Sequence, residues 1–233
     1  MTWIKICGMT NLEDALTAVD AGADAVGFVF YERSPRNITA EAAAEVVRGL
    51  PQNVEKVGVF VDAGCDSIRG TVSGAGLTAV QLHGKISMDS VWQDSRTAAE
   101  SVGVSKLIAM IPGSALLNGG IFMSERVRQK TFAVLIDAEL NGASGGTGAT
   151  FDWKATQGMV RSIGIRLPVI VAGGLTSENV HDAIRILKPW GLDVASGVEL
   201  SPGKKDPDKI RAFVKAVRDF DSTSAEHIDR KTS

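Results

Sequence analysis

Eight short apolar runs, each followed by a less regular or helix-like stretch, constrain this chain more than any other feature. The runs cover 3–6, 25–30, 56–61, 79–82, 106–111, 133–136, 169–172 and 192–195. They are rich in Val, Ile and Phe and mostly lack polar alternation, the pattern of strands covered on both faces. Helix signals lie between them. Segment 11–21 opens at Asn11, keeps Leu12, Ala15, Leu16 and Val19 on one face, and stops at Gly22. Segment 39–50 opens Thr-Ala-Glu-Ala and stops before Pro51, and 176–187 opens Thr-Ser-Glu-Asn and stops before Pro189. Segment 87–104 is read as the fourth helix despite scattered polar residues. Eight βα units in 233 residues imply an α/β, single-domain (β/α)8 TIM barrel spanning 1–221. A doubly wound open sheet is the alternative, because a linear reading does not show closure. Residues 222–233, rich in Ser, Thr, Asp and Lys, are expected to form a disordered tail.

Charge and cysteine usage narrow the functional classes. A net charge of −2 offers no basic surface for nucleic acid and no polybasic stretch for a membrane. No apolar run approaches the roughly 18 residues needed to span a bilayer, and the N-terminus lacks a signal-peptide pattern. Cys7 and Cys65 form neither a CxxC spacing nor a disulfide framework, which suits a reducing, cytoplasmic compartment. No HExxH or Cys/His cluster supports a metal site.

Cys7 ends the first apolar run and Asp137 follows the sixth. In a parallel α/β protein the strand C-termini converge on the active site. A thiol and a carboxylate offered from two strand ends make a candidate acid/base pair. Taken alone, a cysteine such as Cys7 is more often a small buried hydrophobe than a catalyst, and its position before Gly8 at a strand end shifts that; a buried carboxylate at Asp137 is harder to explain without a partner. Cys65, at a helix start, is read as structural.

Two late loops have the composition of a phosphate site. Ala172-Gly173-Gly174-Leu175 follows the seventh run, and Ser196-Gly197-Val198-Glu199 follows the eighth. Barrels of this type commonly bind phosphate through backbone N–H groups in these two loops. Tight turns are the plainer reading of either motif alone. The stretch 142–148 is glycine-rich but fails the nucleotide P-loop pattern, since Ala149 stands where a lysine is required. Arg36, after Ser34-Pro35, is either a partner for a substrate carboxylate or a solvated surface arginine. His83 is a candidate for the barrel mouth. Asp193, inside the eighth run, is either a structural hydrogen-bond acceptor or a residue supporting the site from behind.

The ordered set Lys5-Ile6-Cys7-Gly8-Met9-Thr10, Ser34-Pro35-Arg36, Gln81-Leu82-His83-Gly84, Gly145-Gly146-Thr147-Gly148, Phe151-Asp152-Trp153, Ala172-Gly173-Gly174-Leu175, Glu178-Asn179-Val180, Ser196-Gly197-Val198-Glu199 and Pro202-Gly203-Lys204-Lys205-Asp206 resembles the phosphoribosylanthranilate isomerase family of tryptophan biosynthesis. The resemblance runs from about residue 4 to 220. It implies an Amadori rearrangement of N-(5-phosphoribosyl)anthranilate to 1-(2-carboxyphenylamino)-1-deoxyribulose 5-phosphate. It implies Cys7 as general base, Asp137 as general acid, Arg36 as holder of the anthranilate carboxylate, and Gly173, Gly174, Ser196 and Gly197 as phosphate ligands. The partner is then a small phosphorylated substrate, with no nucleic acid or membrane; the state is a monomer or a homodimer. No redox step or group activation occurs, so neither cofactor nor metal is implied. Met9, Ala149 and Ala195 depart from the residues usual in the family. The related histidine-pathway aminoaldose isomerase uses two aspartates, where this chain has Cys7. A catalytically silent phosphate-binding barrel is the alternative of a different class.

Overall fold

The computed structural model describes residues 1–84, 103–104, 106–117, 129, 131–138 and 150–232, with 224–232 described as backbone alone. Eight strands form a closed barrel, ordered as in the chain. They are β1 (Trp3–Cys7), β2 (Ala25–Phe30), β3 (Glu55–Val61), β4 (Ala79–His83), β5 (Lys106–Pro112), β6 (Ala133–Asp137), β7 (Val169–Val171) and β8 (Gly191–Val194). All neighbours are parallel, and β1 closes on β8 through Trp3 opposite Gly191 and Lys5 opposite Asp193. Closure excludes the open-sheet alternative. Among the described residues the helices are α1 (Leu12–Ala21), α2 (Ala40–Arg48), α3 (Cys65–Ala75), α4 (Gly113–Leu117), α5 (Trp153–Gly164), α6 (Val180–Leu187) and α7 (Pro207–Thr232). The segments read as a fourth helix, 87–104, and as a glycine-rich loop, 142–148, lie outside the described residues, apart from 103 and 104.

Strand alternation builds two apolar layers. Ile4 and Ile6 face outward into the layer shared with the helices. The barrel interior is filled by Ala25, Val57, Ala79, Ile108, Met110, Ala133, Leu135, Ile170 and Ala172. Period two then turns Lys5 and Cys7 inward. The helices bury one stripe each: Val180, Ala183, Ile184 and Leu187 on α6, and Ile210, Phe213, Val214 and Val217 on α7. Asn11, Thr39 and Asp152 cap their helices by accepting from a backbone N–H three residues on. At the barrel's N-terminal end Trp3 stacks on Trp190, and Phe132 meets Trp190 edge-on.

Two expectations change. The helix expected from Thr176 begins at Val180, because the Asn179 side chain accepts from Thr176 N–H and donates to the Gly174 carbonyl, closing a turn first. The tail expected to be disordered from 222 onward continues α7 to Thr232. Asp221 accepts from both N–H and hydroxyl of Thr2, and the Ser222 and Thr223 hydroxyls donate to carbonyls four residues back. Polar composition is thus compatible with helix at Ser222 and Thr223, whose hydroxyls are satisfied locally. A short antiparallel hairpin, β9 (Glu199–Ser201) and β10 (Lys204–Lys205), follows β8.

Candidate active site

The strands end on a cavity of about 100 Å³ that opens to solvent. Cys7 reaches it from the end of β1, His83 from β4 and Asp137 from β6. Gly173 and Gly174 line it from the loop after β7, and Asp193, Ser196 and Gly197 from β8 and beyond. Arg36 lines it from the loop after β2. All nine residues singled out in the sequence therefore converge. Cys65 opens α3, and is not among the residues that line the cavity. Among the described residues, no group of three or more His, Cys, Asp or Glu is placed to hold a metal ion.

The two glycine loops lie against one another. A Cβ at Gly197 would stand 1.9 Å from the Leu175 carbonyl oxygen, so only glycine fits there. Gly173 and Gly174 both hold positive φ, at +87° and +60°, a region that side chains disfavour. Ser196–Val198 form a single 3-10 turn directly after β8.

Arg36 is not a solvated arginine. The loop that carries it folds back through Ser34, whose hydroxyl accepts from Arg36 N–H, and through Asn37, which accepts from Tyr31 N–H. Its guanidinium donates from Nε and Nη2 to the two oxygens of Glu199, at 2.8 and 2.6 Å. Glu199 also accepts from Lys205 Nζ at 2.9 Å and from Gly203 N–H. Burial alone would push the Glu199 carboxyl up; the Arg36 hydrogen bond and the Lys205 charge outweigh it and hold the carboxyl below its ordinary range.

Asp193 resolves as an ion-paired acceptor: Lys5 Nζ donates to its Oδ1 at 2.8 Å, and Lys5 is wholly buried. Burial pushes the Cys7 thiol up, while Lys5 pulls it down; Asp193 and Lys205 contribute in opposite senses, and the net is upward. Burial, then the charge of Lys5, lowers His83 to about 4, so its ring is neutral at pH 7 and bonds with Gln81. The sequence reading passed over Lys5, Glu199 and Lys205. The signal for Lys5 was a lysine inside an apolar run, two residues before Cys7; for Glu199 and Lys205 it was membership of the motif after the eighth run.

The model of N-(5'phosphoribosyl)anthranilate (PRA) isomerase matches residues 4–216. The N-(5'-phosphoribosyl)anthranilate isomerase of Geotalea uraniireducens is 42% identical over 219 residues, covering 94% of this chain and 99% of that protein. The crystal structure of phosphoribosyl anthranilate isomerase from Thermotoga maritima superimposes with a TM-score of 0.74 at 36% identity, over 94% of this chain and 99% of that one. A further structure of this isomerase, in complex with reduced 1-(o-carboxyphenylamino)-1-deoxyribulose 5-phosphate, matches at 36% identity and TM-score 0.71, over 94% and 99% of the two chains.

Proposed function

The chain belongs to the N-(5'-phosphoribosyl)anthranilate isomerase family, and from that premise we propose that Cys7 and Asp137 are the general base and general acid of its Amadori rearrangement. The observation that carries this reading is that both side chains line one cavity, between the paired glycine loops and Arg36. A phosphate seated at Gly173, Gly174, Ser196 and Gly197 accepts from backbone N–H groups. Two of the five guanidinium N–H donors of Arg36 face Glu199, which leaves an edge for the anthranilate carboxylate. The substrate then spans the cavity with its sugar over the strand ends.

The chemistry follows from these positions. Asp137 delivers a proton to the furanose oxygen, and the nitrogen lone pair opens the ring to an iminium ion. The iminium acidifies the adjacent carbon, and the Cys7 thiolate takes that carbon's proton. The neutral enolamine relaxes to the ketone. Asp137 ends ionised and Cys7 protonated, and exchange with solvent resets both. A free thiol titrates near ~8.5 and a free aspartate near ~3.9, so the working pair is the less common protonation state at neutral pH.

The direct test is to follow the fluorescence of freshly made phosphoribosylanthranilate with the purified protein. Enzyme-dependent consumption is expected. Tight binding of the product without consumption would instead identify a silent phosphate-ligand barrel.

A further inference from the structure

Lys5 is a charged side chain where the barrel needs only packing. It lies between Ile4 and Ile6 and is fully buried. A buried ammonium without a partner is costly, and an apolar replacement for a buried ion pair is often as stable. Its partner Asp193 stands directly opposite on β8, so closure of the barrel brings the two together.

Lys5 and Cys7 are two residues apart on one strand and share a face. Both lean over Gly27 of β2: a Cβ there would meet Cys7 Sγ at 2.7 Å and Lys5 Cε at 3.0 Å. The missing side chain at Gly27 is the space that thiol and lysine arm occupy side by side. Among the described residues, two further cations near the sulfur share one carboxylate. Lys205 Nζ, 2.5 Å from the Cys7 carbonyl oxygen, shares Glu199 with Arg36. His83 and Asp137 line the same cavity, and His83 is neutral at pH 7. Lys5, Lys205 and Arg36 thus face two carboxylates, Asp193 and Glu199. Among these described groups the cations outnumber the carboxylates when Asp137 is the protonated acid, so a thiolate formed at Cys7 meets net positive charge.

We propose that Lys5 is the positioning residue that offsets the burial of Cys7 and stabilises its thiolate when the proton leaves, with Asp193 keeping the Lys5 ammonium charged beside the sulfur. The proposal rests on Cys7 being the general base. On ionisation the S–H proton leaves through the open mouth of the cavity to solvent; Lys5, already an ammonium, accepts none. Burial lowers the Lys5 affinity for its proton, but Asp193 and then Cys7 more than restore it. Lys5 in turn is the strongest influence drawing the thiol down against burial.

The test compares native protein with Lys5→Met and with Lys5→Met/Asp193→Asn. Carboxamidomethylation of Cys7 by iodoacetamide is measured against pH by peptide mass spectrometry, which counts Cys65 separately. The first variant leaves Asp193 as a lone negative charge near the sulfur. The second removes both charges and buries none unpaired, so it keeps the test alive if the first fails to fold. The titration midpoint is expected to rise from native to double variant, and further to Lys5→Met. Alkylation at pH 7 slows by roughly tenfold or more in Lys5→Met, the effect of losing a neighbouring opposite charge. The pH profile of turnover moves with it. A folded double variant with the native midpoint would overturn the proposal. Midpoints in the expected order with an unmoved turnover profile would leave Lys5 its role and remove Cys7 as the base.

Discussion

Replacing Glu199 by Gln should destabilise the protein by about 3 kcal/mol, and the structure indicates why the loss falls in that range. The carboxylate accepts from Arg36 at 2.8 and 2.6 Å, from Lys205 at 2.9 Å and from Gly203 N–H at 3.3 Å. Arg36 is 8% exposed and Lys205 1%. Glutamine keeps the shape and one acceptor oxygen, but leaves two buried cations without a counter-charge. Breaking a buried pair by removing one partner typically costs about 3–5 kcal/mol; the retained acceptor puts Glu199→Gln at the lower end. At about 2–4 °C per kcal/mol for a chain of this size, Tm falls by roughly 6–12 °C. Urea unfolding followed by circular dichroism reads the change directly. The native pair also has a pH signature. Because the Glu199 carboxyl is held low in the folded state, its contribution is full above the ordinary glutamate value of ~4.3 and disappears as pH falls through the folded value. The Gln variant should lack that acid loss. A stability change below about 1 kcal/mol would refute the reasoning, because it would mean that water already compensates the two cations.

Three further outcomes are expected. Arg36→Met weakens product binding by roughly 2–5 kcal/mol, the range for truncating a desolvated charge pair, with a smaller effect on kcat; an equal loss in kcat with unchanged affinity would deny it the carboxylate. Gly197→Ala forces the loops after β7 and β8 apart, since its Cβ would meet the Leu175 oxygen at 1.9 Å. It should weaken binding of the phosphorylated product but not of its dephosphorylated form, and equal weakening of both by calorimetry would place the phosphate elsewhere. His83, lowered to about 4 in the folded state, takes up its proton in the unfolded chain first, so stability falls as pH drops from ~6.5 to ~4, by roughly 3 kcal/mol. His83→Gln should flatten that part of the curve, and an unchanged slope would show that another group titrates there.

The barrel was legible because its strands are buried on both faces, which leaves runs such as 133–136 with no polar residue to confuse the reading. Strand ends then marked Cys7 and Asp137. Charge pairs were not legible in the same way. Lys5 and Asp193 are 188 residues apart, and Arg36 and Glu199 are 163 apart. A linear reading sees each as a lone charge, and only closure of β1 on β8 shows that Asp193 has a partner. The hairpin Glu199–Lys205 escaped because its strands are three and two residues long, too short for any alternation to register. The continuation of α7 past 221 escaped because Ser and Thr signal loops by composition, whereas the hydroxyls of Ser222 and Thr223 bond within the helix.

The central claim is that Cys7 and Asp137 transfer the protons of the rearrangement. It is tested most directly by the kcat of Cys7→Ala and Asp137→Asn for phosphoribosylanthranilate, at matched folding and with product affinity measured alongside. Both variants are expected to bind product nearly as the native protein does. Turnover should be abolished in Cys7→Ala and reduced in Asp137→Asn by about 10²–10⁴-fold, the usual contribution of a general acid. A folded Cys7→Ala or Asp137→Asn protein with near-native kcat would contradict the assignment of that residue.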